Sequence, residues 1–136
     1  MNACLYRRKI DPTGGCMDIL GIGTDITECL RIARMIERYG ELFINRVYTA
    51  EEIRYCQSRR QTTQHFAGRW AAKEAFSKAW GTGIGKLRFQ DLEILNDRQG
   101  APYFSRSPFA GKVWISISHA AGLVTASVIL EENDES

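Results

Sequence analysis

Two carboxylates and a lysine stand where this sequence otherwise looks apolar. A carboxylate in such surroundings is costly unless it is paired or bound to a metal. The spacing predicts one long helix over residues 62–80. At about 100° per residue, Ala67, Ala71 and Ala75 form a small-residue ridge with Trp70 alongside. Glu74 and Lys78 project into that same sector. His65, Arg69 and Lys73 fall on the opposite side, which is expected to face water. Glu74 and Lys78 also satisfy an ordinary i,i+4 surface pair in the favourable order. Their place on the wheel sets them apart from one. Asp25 is the second anomaly. It follows a glycine-containing apolar run and either helps start the next helix or serves as a hard-cation ligand. A magnesium site takes one or two carboxylates, with substrate phosphates and waters completing it. Spacing alone does not bring Asp25 and Glu74 together.

The segment Gly81-Thr82-Gly83-Ile84-Gly85 either stops the long helix or wraps a phosphate with backbone N–H groups. It is not a Walker loop, and Gly21-Ile22-Gly23 is not a dinucleotide fingerprint, because Ile26 stands where a third glycine is needed. His119 closes a strand beside a turn, as a structural hydrogen-bonder or as a contact for chemistry. With only two histidines and no Ser-His-Asp or Cys-His order, triad chemistry is a poor fit. Arg31, Arg34 and Arg38 keep helical spacing, as a solvated face or as a docking surface for an acidic helical partner. Arg59-Arg60 is too short for a nucleic-acid patch and lacks interleaved aromatics.

The elements that must position these residues read as follows. Residues 1–16 have no clean periodicity and are expected to be a flexible extension outside the fold. Residues 17–26 read as a buried strand, whose glycines imply close approach of another backbone or a ligand. Thr27 is expected to cap a helix to about Tyr39, with Glu28 in its first turn. Leu30, Ala33 and Ile36 form its apolar side, and Gly40 ends it. Thr49 and Glu52 form a capping box for a short helix to about Ser58. After the glycine cluster the period becomes two. Leu92, Ile94 and Leu95 suggest a strand, 96–100 a turn, and Pro102-Tyr103-Phe104 its partner. Val113, Ile115 and Ile117 alternate with polar neighbours, and Leu123 to Leu130 forms a last strand after a tight turn at 119–122. The order, one strand, then helices, then strands, predicts an α+β fold with an antiparallel sheet.

Composition sets outer limits. The chain has 136 residues, 44% hydrophobic and 25% charged, the mix of an ordinary globular domain. No apolar run approaches the ~20 residues that span a bilayer. Setting aside the +2 of residues 1–16 and the −4 of the acidic tail 131–136 from the net +2 leaves +4 on residues 17–130. A mildly basic body suits an anionic ligand or an acidic partner. The four cysteines show no C-x-x-C spacing, so a zinc site is disfavoured and a reduced, cytoplasmic protein is expected.

Together these pieces resemble the holo-acyl-carrier-protein synthases, the small 4′-phosphopantetheinyl transferases. The resemblance rests on residues 21–26 (Gly-Ile-Gly-Thr-Asp-Ile), on 66–79 with Trp70, Lys73 and Glu74 at its centre, on 81–85, and on Ser116-Ile117-Ser118-His119. The four occur in the family's order between Met17 and Leu130. The resemblance implies the 4′-phosphopantetheinyl transferase fold over 17–130, an antiparallel sheet packed against a long central helix. It implies that Asp25 and Glu74 hold Mg²⁺ and that Lys78 approaches the phosphates of coenzyme A. Thr82 and Gly83 of the glycine loop, His119 and Arg69 would belong to the coenzyme pocket. Arg31 and Arg34 would meet the acidic acyl carrier protein. A homotrimer with active sites between subunits is implied, working in fatty acid biosynthesis with no membrane or nucleic-acid partner. The implied reaction is attack of a carrier serine on the β-phosphorus of coenzyme A, releasing 3′,5′-ADP. Glu74 would take the serine proton, directly or through a metal-bound water, and Lys78 would stabilise phosphate charge. The rival readings are a non-catalytic module that binds coenzyme A or an acidic protein, a nucleic-acid-binding domain, and a magnesium-dependent pyrophosphate hydrolase.

Overall fold

A computed structural model of the chain describes residues 18–81 and 87–132. The expected extension 1–16 lies outside the described residues, as do residues 133–136 of the tail. The chain opens with strand β1 (Ile19–Glu28), followed by helices α1 (Cys29–Tyr39), α2 (Glu41–Val47), α3 (Ala50–Gln57) and α4 (Thr62–Trp80). A 3-10 turn (Phe89–Asp91) leads to strands β2 (Glu93–Asn96), β3 (Pro102–Arg106), β4 (Lys112–Ala120) and β5 (Leu123–Glu131). Strands β1, β5 and β4 form one antiparallel sheet in that order, and β2 pairs with β3 in a separate hairpin. The class is α+β, as expected.

The sheet is two-faced because its strands alternate. Val124, Ala126, Val128 and Leu130 of β5 are buried against α4, while Leu123, Thr125 and Ser127 face outward. The β4–β5 hairpin closes through Ala121 and Gly122 alone, at φ 53° and 80°. Two positive φ values are what a two-residue turn needs to match the strand twist. His119 and Ala120 therefore stay in β4 and are not part of the turn.

Strand β1 lies directly against the α4 backbone. A Cβ on Gly21 would stand 2.0 Å from the Ala79 carbonyl oxygen, and one on Gly23 2.0 Å from that of Ala75. The close approach read from these glycines is thus to a helix backbone. Ala75 and Ala79 are one helical turn apart, so the small-residue ridge and the glycine strand are two halves of one contact.

Two expectations fail, and one element is new. Thr27 caps nothing, because β1 continues to Glu28, and the α1 N-cap is Glu28 without a side-chain bond. The buried side of α1 is Ile32, with Cys29, Met35 and Ile36 packed on the core, while Leu30 is exposed. Spacings of three and four residues fit both stripes, and only the docking of α1 selects one. Helix α2, which buries Phe43 and Val47, was not expected at all, since seven residues carry too little periodicity to read.

The largest correction concerns α4. Arg69 and Lys73, expected to face water, are buried at 2% and 0% exposure. Lys73 Nζ donates to Glu52 Oε1 at 2.8 Å, to the Val47 carbonyl at 2.6 Å and to the Phe89 carbonyl at 3.1 Å. The Glu52 carboxylate also accepts from the backbone N–H groups of Thr49 and Ile94. The Thr49–Glu52 capping box therefore serves twice, starting α3 and receiving the α4 lysine. Lys73→Met would strand the Glu52 charge inside the protein. We expect a loss of about 3–5 kcal/mol, read as a lower midpoint in chemical denaturation. Glu52→Gln with Lys73→Met, which removes the stranded charge and keeps an acceptor for the Thr49 and Ile94 N–H groups, should recover part of it. A single Lys73→Met change without effect on the midpoint would show the pair to be dispensable.

Candidate active site

Asp25 reaches α4 because β1 does. Gly21, Gly23 and Asp25 share one face of the strand at the two-residue period, so the contact that seats the glycines on Ala75 and Ala79 carries Asp25 to the next turn of the helix. There Lys78 Nζ lies 3.2 Å from Asp25 Oδ1 and donates to the Thr24 carbonyl at 2.9 Å. The other carboxylate oxygen, Oδ2, accepts from the Thr27 hydroxyl at 2.7 Å. Thr27 is the site residue that sequence reading misplaced. It sits two positions beyond Asp25 on the same strand face, and the signal was the strand period continuing past Ile26.

Glu74 faces the same place from one turn earlier on α4. Burial pushes its carboxyl above the ordinary glutamate range, and the Asp25 charge pushes it further. Lys78 and Arg31 pull in the opposite direction. Asp25 and Glu74, 49 positions apart in sequence, are thus close enough to repel. The donors offered are hard carboxylate oxygens, half-sheltered from water, with one lysine to offset two negative charges. That set fits Mg²⁺, which takes few protein ligands and relieves like-charge repulsion. Among the described residues no group of three or more His, Cys, Asp or Glu side chains is arranged to hold a metal, so a cation here would need oxygens from its substrate. A cleft of about 450 Å³, lined in part by Asp25, Lys78 and Ser127, opens beside this cluster.

Arg69 and His119 come together elsewhere. They line a second cleft of about 180 Å³ with His65 and Asn96. Arg69 Nη2 donates to Asn96 Oδ1 at 2.5 Å, and its guanidinium stacks 4.6 Å above the Tyr55 ring. Nine helical residues separate Arg69 from Lys78, about 13 Å along the axis. The structure therefore divides the expected site residues into two clusters at different points along α4. Gly81 ends the helix at φ 94°. The expected Thr82 and Gly83 lie outside the described residues.

Arg31, Arg34 and Arg38 are exposed along α1, as their spacing suggested. Arg31 leans 5.5 Å over the Trp70 ring, and Trp70 stacks on Phe89. The same arginine also acts electrostatically on Glu74. The basic face of α1 thus borders the carboxylate cluster.

The likeness to known proteins runs the length of this framework. Residues 21–128 match the family model of the 4′-phosphopantetheinyl transferase superfamily. A holo-[acyl-carrier-protein] synthase of Streptococcus sanguinis is 68% identical over 120 residues, covering 87% of this chain and 99% of that protein. The crystal structure of a holo-(acyl-carrier-protein) synthase from Bacillus anthracis, in complex with CoA (3′,5′-ADP), is 42% identical with a TM-score of 0.77, over 85% of this chain and 98% of that one. The Helicobacter pylori holo-[acyl-carrier-protein] synthase in complex with coenzyme A is 34% identical with a TM-score of 0.73, over 80% and 98%. With the fold and the sequence in agreement, the chain belongs to the 4′-phosphopantetheinyl transferase superfamily, among the holo-[acyl-carrier-protein] synthases.

Proposed function

We propose that this protein transfers the 4′-phosphopantetheine group of coenzyme A to a serine of an apo acyl carrier protein, with Mg²⁺ and with release of 3′,5′-ADP, in fatty acid biosynthesis. The observation that carries the reading is the meeting of Asp25 of β1 with Glu74 and Lys78 of α4 in one place. Asp25 and Glu74 would hold the magnesium, which supplies positive charge against the pyrophosphate. The carrier serine Oγ forms a bond to the β-phosphorus as the bond from that phosphorus to the 3′,5′-ADP oxygen breaks. Glu74 takes the serine proton, directly or through a metal-bound water. Lys78, partly exposed and held by Thr24 and Asp25, places its ammonium toward the phosphates and offsets the charge that develops on the leaving group. The nucleophile comes from the partner, so the chain needs no triad.

Arg69 and His119 supply donors for the rest of the coenzyme. One coenzyme must reach both clusters. Association of copies would let it span them, and the outer face of the sheet supports that. Ile22, Ile26, Trp114 and Leu123 are 41%, 62%, 52% and 37% exposed there, and large apolar side chains gathered on one exposed face mark an interaction surface. We read this face as the contact between the subunits of a homotrimer, with active sites between them. The acidic carrier would dock on Arg31 and Arg34 of α1. Among the described residues no helix is long and apolar enough to cross a membrane, in keeping with work in the cytoplasm.

The test is intact-mass spectrometry of an apo acyl carrier protein incubated with the chain, coenzyme A and Mg²⁺. A phosphopantetheine-sized gain is expected, abolished by EDTA and by Asp25→Ala. No gain with several carriers, despite coenzyme binding, would leave a binding module without transferase chemistry.

A further inference from the structure

Both histidines of the chain face one cleft. His65 comes from the first turns of α4, with Arg69 one turn further on, and His119 comes from the end of β4. Asn96 closes the cleft from the end of β2. No carboxylate lines it among the described residues. Arg69 is 2% exposed, and its Nε finds no hydrogen-bond partner among the described residues. A buried guanidinium N–H without an acceptor, in a cleft free of acids, is arranged for an anion.

Every charged group that acts on His65 has the same sign. The Tyr55 ring of α3 meets it edge-on, with centroids 5.4 Å apart. Arg59, in the turn before α4, stacks on that same tyrosine. Arg69 lies on its own helix and His119 across the cleft on β4. Burial lowers the His65 pKa first, and Arg69, Arg59 and His119 lower it further. In the free protein these surroundings favour the neutral ring. A dianion entering the cleft reverses the local field and favours the imidazolium.

We propose that His65 is an additional contact for the phosphate monoester of the coenzyme, one that engages only when protonated, so that coenzyme binding takes up a proton. The inference rests on the transferase reading above and deepens it. A ligand that raises a histidine pKa binds with full strength below the free-state pKa. It loses affinity as pH rises through that value and levels off above the bound-state one.

The probe is 3′,5′-ADP titrated calorimetrically into the full chain from pH 6 to pH 8.5, in buffers of different ionisation enthalpy. The wild type should show net proton uptake, and its affinity should fall about tenfold more steeply across the range than that of His65→Gln. That is the effect of one histidine whose pKa rises by about one unit on binding. The phosphate's own ionisation, near pH 6, is common to both proteins and cancels in the comparison. His65→Lys, cationic throughout, should show the shallow pH dependence of His65→Gln with tighter binding than His65→Gln at every pH. Equal slopes and equal proton uptake in wild type and His65→Gln would overturn the proposal while leaving the transferase intact. Absence of 3′,5′-ADP binding to any of the proteins, together with unmodified carrier, would overturn both.

Discussion

Glu74→Gln should lower turnover by about 10²–10⁴-fold, the usual contribution of a positioned base, and should change coenzyme affinity far less. Glutamine keeps the size of the side chain and an oxygen for a cation, but it cannot accept the serine proton. The substitution removes the proton acceptor together with one of the two negative charges that would hold the cation, so coenzyme binding is measured with and without Mg²⁺. Steady-state kinetics with apo carrier and coenzyme A, beside direct measurement of coenzyme binding, separates the roles. If kcat and affinity fall together, Glu74 binds and does not take the proton.

Gly23→Ala is the harshest single-methyl change this fold offers. The new Cβ would stand 2.0 Å from the Ala75 carbonyl oxygen and 2.7 Å from the Ala79 nitrogen. Both are backbone atoms inside a helix and cannot swing away. Strand β1 would have to lift from α4, taking Asp25 away from Lys78. We expect a loss of at least about 3 kcal/mol, at or beyond the upper end for overpacked cores, together with loss of transfer activity. Gly68→Ala is the internal comparison. Its Cβ would meet the Ile117 Cγ2 at an ordinary 3.5 Å, and alanine favours a helix interior by about 1 kcal/mol. Thermal unfolding of the two variants should therefore move in opposite directions. A Gly23→Ala protein as stable as the wild type would mean that β1 does not sit on the α4 backbone.

Local rules carried much of this fold. Helix α4 runs from Thr62 to Trp80 as its spacing predicts, and Thr49 with Glu52 forms the capping box that its sequence spells. The alternation in 112–120 and 123–131 is that of paired strands with one buried face. Each of these signals is contained within a few neighbouring residues. Two-residue and 3.6-residue periods persist through later packing, so the sequence by itself determined the type of the longer elements, the α+β class and, through resemblance, the family.

What the tertiary structure decided is which polar groups are sheltered and which meet. The wheel of α4 placed Arg69 and Lys73 toward water, because charge is usually solvated. The packed helix is covered on that side too, by α3 and by the β2–β3 hairpin. The two cations are accommodated by partners 27 and 21 positions away, Asn96 and Glu52. Thr27 read as a cap because its type suits one, yet the strand ran on and turned its hydroxyl to Asp25. The approach of Asp25 to Lys78 depends on Gly21 and Gly23 meeting the helix backbone at Ala79 and Ala75, far along the chain. Such pairings are energies between distant segments, and no local period encodes them. Periodicity determined which elements form, and only the packed chain decided that Asp25, Glu74 and Lys78 share one site while Arg69, His65 and His119 share another.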